Sequence, residues 1–131
     1  MERRAIEPTA WGTELGWYRE TRLSPAVQVG DLLFVAGCTG ASAAADGPRA
    51  QMRRACEEIG EVLEAAGASW DEVVSMTTYH VHFRRDIEEM TEVHREFVTK
   101  EPPGLDRCGS HRALRAGGDR RDRGHRARVP P

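Results

Sequence analysis

Apolar residues change their spacing three times along this chain, and that succession restricts which elements it can form. Val27 and Val29 alternate with small or polar neighbours, Gly30-Asp31 supplies a turn, and Leu32 to Ala36 is an unbroken apolar run. The pattern predicts a β-hairpin whose second strand is buried on both faces. Residues 39–48 carry little side chain and include Gly and Pro, which predicts a loop. From Pro48 the period lengthens: Met52, Ala55, Cys56, Ile59, Val62, Leu63 and Ala66 recur every three or four residues, as on an amphipathic helix. Asp46 is placed to cap that helix, Pro48 falls in its first turn, and Gly67 suits the left-handed position beyond a helix end. Residues 73–83 are rich in β-branched and aromatic side chains, as a strand is. A second helix is expected after a cap at Asp86, burying Ile87, Met90, His94, Phe97 and Val98 and stopped by Pro102-Pro103. The spacing leaves open whether the first ten residues join the sheet.

Strand, strand, helix, strand, helix is the order of an α+β domain, with one sheet and two helices packed on one face. Two helices cover one side only. The other face then needs water or a partner, and the apolar content of the strands favours a partner, so an oligomer is expected. With 131 residues there is room for one core. No stretch approaches the roughly 20 apolar residues of a membrane span, which argues against a membrane partner. Behind the arginines at 3 and 4 there is no apolar segment of the secretory kind, so the cytoplasm is the expected compartment. Cys38, Cys56 and Cys108 are odd in number and widely spaced, and are expected as free thiols.

Charge divides the chain near Gly104. Residues 1–104 hold 11 Lys and Arg against 18 Asp and Glu, a net of −7, while 105–131 hold 8 Arg against 3 Asp, a net of +5. The last 27 residues contain Leu105, Leu114 and Val129 as their only large aliphatics and show neither strand nor helix period. The expected organisation is therefore an α+β domain over 1–104, followed by an atypical Arg-rich segment, 105–131, that forms no core strand.

The segments in the first region resemble, in order and spacing, those of the Rid family, the YjgF-type reactive-intermediate deaminases. Gly16-Trp17-Tyr18 resembles the family's Gly-Pro-Tyr, and residues 30–40 resemble its Gly-Asp-hydrophobic strand ending in Ser-Gly-Gln. Residues 64–83 and 87–97 resemble its helix, strand and second-helix segments, so that the likeness covers about 16–103. The resemblance implies a chorismate-mutase-like fold and a homotrimer, three sheets meeting as a barrel with clefts between subunits. It further implies hydrolytic deamination of imines and enamines derived from amino acids, with no cofactor and no metal. Carried over by position, it implies that Tyr18, Gly37, Cys38 and Thr91 bind the small-molecule substrate, Cys38 standing where the family has glutamine and Thr91 where it has asparagine. The family's carboxylate-holding arginine has no counterpart, because its Pro-Ala-Arg falls on Pro103-Gly104-Leu105, and Arg107-Cys108 lies two residues late. Nor is there a counterpart of the final Glu-Ile-Glu strand and its catalytic glutamate. Activity is thus in doubt, no catalytic residue is assigned, and the alternative implied is a non-catalytic, metabolite-binding or regulatory Rid-like protein.

Several groups admit a sharper reading that the sequence does not favour. His80 and His82 share a strand face and with His94 would make three metal ligands, but no further partner is spaced to complete a site. Cys38 follows a strand in a Gly-rich turn, where backbone N–H groups would favour a thiolate nucleophile, but no base is placed beside it. Trp11, Trp17 and Tyr18 suit ligand stacking and ordinary packing about equally. Glu57, Glu58, Glu61 and Glu64 read as the solvated face of the first helix. The basic tail lacks the interleaved aromatics that stack on bases, so nucleic acid is not an expected partner.

A tail suddenly rich in Arg, Gly and Ala is what a shifted reading of GC-rich codons yields. Permitted codons for residues 105–128, read one base later, give two alternating strand-forming segments joined by a Pro-Gly turn, the second containing Glu-Ile-Glu. The expectation is a frameshift after about Gly104. Sequencing the gene checks it: stop codons, or no alternating strand, in the shifted frame would exclude the idea.

Overall fold

The computed structural model describes residues 2–109. Strand β1 (Arg3–Ile6) opens the chain, followed by helix α1 (Glu14–Thr21) and the hairpin β2 (Ala26–Val29) and β3 (Leu32–Val35). Then come α2 (Pro48–Ala65), β4 (Ser75–His80), α3 (Phe83–Phe97) and β5 (Gly104–Gly109). The α+β class is as expected, but the described residues form three α-helices, and their strands form two ladders instead of one sheet. β1, β2 and β3 pair antiparallel in that order, and β4 pairs with β5 in parallel. The first residues do join the sheet, Ile6 lying opposite Ala26.

The hairpin turns at Gly30, whose φ of 56° favours glycine. Its second strand is not buried on both faces. Leu33 and Val35 pack inward, whereas Leu32 and Phe34 remain 61% and 60% exposed. Among the described residues nothing covers these outward alternate residues of β3. On β4 and its flanks Val74, Tyr79 and Val81 are exposed in the same way.

Helix α2 is built as its period predicts. Cys56, Val62 and Leu63 are buried, and Pro48 occupies the first turn. At its other end Gly67 N–H donates to the Glu64 carbonyl and Ala68 N–H to the Leu63 carbonyl, with Gly67 at φ 76°, a left-handed cap that closes the last turn. The N-terminal cap is Gly47, not Asp46, because the small residues expected as a loop wind into a 3-10 helix, Ala41–Asp46, that takes up Asp46. Helix α3 likewise starts earlier than expected. His82 is its cap, and Asp86, in the first turn, is buried and ion-paired with Arg85 at 2.5 Å. Val93, absent from the expected stripe, is completely buried beside Met90. On the surface, Arg49 pairs with Glu92, and Arg53 meets Glu96 at 2.7 Å, joining α2 to α3.

Two core clusters result. Ile6, Trp11, Leu15, Ala26 and Val62 form one, and Cys56, Met90 and Val93 the other. Strand β5 departs from the sequence reading. Its register runs unbroken from Ser75 opposite Gly104 to His80 opposite Gly109, five residues past the expected domain limit. Parallel pairing uses main-chain groups that every residue here carries, so β4 can recruit a segment with no hydrophobic alternation. The remainder of the Arg-rich segment, 110–131, lies outside the described residues.

The turn after β3 is pressed onto α2. Gly40, at φ 62°, lies so close that a Cβ there would overlap the Gln51 carbonyl oxygen and stand 2.7 Å from Ala55 N. Gly40→Ala is expected to lower stability by about 2 kcal/mol or more, through overlap and left-handed strain together. Gly37→Ala, where a Cβ meets nothing within 4 Å, should stay within about 0.5 kcal/mol. Urea denaturation midpoints of the two variants check the contrast.

Candidate functional site

The end of β3 runs into residues 36–40, and α2 fixes their course. Gln51 Nε2 donates to the Thr39 carbonyl at 3.1 Å, and Gly40 N–H donates to Glu58 Oε2 at 3.3 Å. Cys38 is held between these anchors, half-buried against the first core cluster. Tyr18, from α1, packs on the same cluster. Its ring lies 5.7 Å from that of buried Trp11 and meets Trp17 edge-on at 5.0 Å, with Trp17 56% exposed. The three aromatics thus divide: Trp11 is core, while Trp17 borders an open surface.

Tyr18 and Cys38 pack against the same core cluster, so the structure brings these two predicted site residues together. Burial raises the pKa of the Tyr18 phenol, and Cys38, Glu58 and Glu14 add to the rise. Burial first, then Glu58 and Glu61, pushes the Cys38 thiol up to about 12. At neutral pH Cys38 is a neutral thiol, a weak hydrogen-bonding group and not an activated nucleophile. Gly37 is exposed beside them, with a backbone any residue could adopt. Thr91 sits on α3, where its hydroxyl donates to the Ile87 carbonyl at 2.8 Å.

Glu58 and Glu61 are the residues the sequence reading missed, having been taken for part of a solvated face. Arg54 meets Glu61 at 2.9 Å, Glu57 at 3.3 Å and Glu58 at 3.7 Å. Trp11 Nε1 donates to Glu61 Oε2 at 2.6 Å. Burial tends to raise the Glu61 carboxyl, but the hydrogen bonds from Arg54 and Trp11 outweigh it and hold the group below its ordinary value. No sequence spacing announces this, because Trp11 and Glu61 are 50 residues apart.

The histidines do not form the metal constellation considered above. His82 lies beyond β4 as the cap of α3 and so leaves the strand face of His80. His80 Nε2 meets Thr78 Oγ1 at 2.9 Å, and His94 Nε2 meets Met76 Sδ at 3.2 Å. Among the described residues no group of three His, Cys, Asp or Glu is arranged to hold a metal, and no helix is long and apolar enough to cross a membrane.

The family model described as endoribonuclease L-PSP matches residues 17–109, from the aromatic pair of α1 to the last residue of β5. This chain belongs to the YjgF/Rid family. The RutC family protein YjgH of Escherichia coli is 31% identical over 107 residues, 78% of each chain. A RutC family protein of Pyrococcus abyssi is 36% identical over 86 residues, covering 61% of this chain and 66% of its own. Among solved structures, one of a YjgH protein superposes with a TM-score of 0.70 at 30% identity, covering 83% of this chain and 85% of its own. A YjgF/YER057c/UK114 family member from Mycobacterium tuberculosis gives 0.69 at 30% identity, covering 82% and 84%. The Rid match extends through β5, which brings Arg107 and Cys108 inside the family region, opposite Thr78 and Tyr79 in the ladder.

Two outcomes follow from the charges around the site. At pH 8 Cys38 should be alkylated by iodoacetamide about a hundredfold or more slowly than a free cysteine, accelerating only above about pH 10; mass spectrometry of the Cys38 peptide reads this. Glu61, with its pKa lowered by folding, contributes stability that is present above the ordinary glutamate range and lost as pH falls through its folded value. Glu61→Gln should therefore lower the melting temperature at pH 7 while changing it little well below about pH 4.5, so that the acid limb of the profile flattens.

Proposed function

We propose that this chain is a Rid-type protein that takes a small imine- or enamine-bearing metabolite into a cleft completed by neighbouring copies of a homotrimer, and that its hydrolytic deamination is slow. The observation that carries the reading lies on β3: the strand that leads into Cys38 leaves Leu32 and Phe34 exposed on its outer face. An apolar sheet face beside a half-buried Tyr18 and Cys38 is what a subunit boundary with a ligand cleft requires. In such a cleft water would add to the C=N carbon and the C–N bond would break, leaving a carbonyl compound and ammonia. Tyr18, Cys38 and the backbone at Gly37 would orient the imine, and Thr91 would enter from α3 of another copy.

Slow turnover follows from three positions. Leu105 stands where relatives of the Rid kind hold arginine, and the unbroken β4–β5 register provides no bulge to move Arg107 into that place. Cys38 is not a thiolate, and the Thr91 hydroxyl already spends its hydrogen on Ile87. Those same positions favour a second reading, a non-catalytic metabolite-binding member. RNA cleavage, which the family model's description names, is less favoured, because residues 1–104 carry a net −7 and would repel a phosphate backbone.

The cytoplasm remains the proposed compartment. Sedimentation at micromolar concentration should give a species near three times 14.6 kDa, and a monomer would remove the cleft. With enzymatically generated 2-aminoacrylate, keto-acid release should exceed buffer but fall about ten- to a hundredfold short of an arginine-bearing member, the cost of one charge-assisted carboxylate contact. A rate equal to buffer would leave the non-catalytic reading; a rate equal to that member would show that another group holds the carboxylate.

A further inference from the structure

Around Tyr18 and Cys38 the charges are unequal in number and fixed in place. Glu58 is anchored two residues past Cys38 and Glu61 on Trp11, whose cluster Tyr18 and Cys38 share, and after burial these carboxylates, with Glu14 for Tyr18, raise the pKa values of the pair. Arg54 is the one described cation acting on Cys38, and its guanidinium is already shared among Glu57, Glu58 and Glu61. None of the nearest carboxylates is free to swing away. Glu58 is tied to Gly40 N–H, two residues past Cys38, and Glu61 to the indole of buried Trp11. Glu58 is also shielded from water, its side chain only 17% exposed, which weakens solvent screening of its field.

We infer that the Tyr18–Cys38 shelf selects its ligand by charge, accepting neutral or cationic imines that derive from simple amines and disfavouring imines that bear a carboxylate, with Glu58 and Glu61 as the specificity-determining residues. The inference rests on the proposed reading of this shelf as the imine site and names the substrate class that reading leaves open. A carboxylate brought against fixed negative charge in a partly water-excluded place is repelled, whereas an iminium nitrogen is attracted and its protonated form favoured. That form is also the one whose carbon water attacks most readily. Burial is the larger cause of the elevated thiol and phenol, and the same carboxylates add to it.

The test reads the field and the ligand separately. Cys38 is modified in the intact protein by aminoethyl and sulfonatoethyl methanethiosulfonates, cationic and anionic reagents of similar size, with rates taken from the Cys38 peptide by mass spectrometry and normalised to a free thiol. The cationic reagent should react about tenfold faster or more. Glu58→Gln and Glu61→Gln, which keep an acceptor for Gly40 and Trp11, should each narrow that ratio several-fold, and Glu92→Gln on α3 should not. Equal rates, or a faster anionic reagent, overturn the inference. In a second arm, 1-pyrroline and 1-pyrroline-2-carboxylate compete for Cys38. Protection by 1-pyrroline alone is the expected result; equal or better protection by the carboxylate overturns the charge selection while leaving an imine site. Protection by neither, with the cationic preference intact, overturns the imine site itself and the substrate class with it.

Discussion

Helix α2 is the element on which both cores depend. Val62 closes the cluster formed with Ile6, Trp11, Leu15 and Ala26, and Cys56, under two turns earlier, belongs to the cluster with Met90 and Val93. No other described element puts a fully buried side chain into both. The antiparallel ladder and α1 are thus held on one end of α2, and α3 on the other. The hydrophobic term that docks each group is non-directional, so the shape of the molecule comes from the spacing of buried positions on this one rod.

The same helix supplies the polar contacts that give the strand end a defined course. Gln51, Arg54, Glu58 and Glu61 lie on successive turns, and each contacts either residues 39–40, Trp11 or another member of the group. The Gly-Cys-Thr-Gly segment that follows β3 has no local preference strong enough to fix a single path. Pinning it to a helix turns a soft segment into a surface on which two protic groups, Tyr18 and Cys38, keep a fixed relation. The cost is borne electrostatically, since carboxylates that hold backbone and indole donors also raise the pKa values of the groups beside them.

What could be read from the sequence was whatever a short window contains. The period of α2, its Pro48 start, its Gly67 end and the turn at Gly30 are local facts, and the structure has them where they were expected. Helix α1 was invisible for a local reason as well. It has eight residues, includes Gly16 and two aromatics with poor helix propensity, and buries only Leu15, so its stability comes from packing and not from pattern. β5 escaped because parallel pairing is decided by the partner strand, about 30 residues away. Of the site, the resemblance supplied Tyr18 and Cys38, which the structure does bring together. Glu58 and Glu61 were hidden because a glutamate at helical spacing looks solvated until one knows that the first strands and their loop fold back over it.

The two ion pairs between α2 and α3 have a consequence for how these helices can drift in evolution. Arg49 and Arg53 are one turn apart, and so are their partners Glu92 and Glu96. A slip of one whole turn, about 5.4 Å, would set one arginine against the other's glutamate and keep a rung, while any fractional slip would break both. Exposed pairs of this kind contribute little stability, at most about 1 kcal/mol each. They act instead as a vernier: the surface permits only whole-turn positions, and the fit of Cys56 to Met90 and Val93 chooses among them. A lineage could thus repack the interior by small steps without the helices creeping, provided the two arginines keep their spacing.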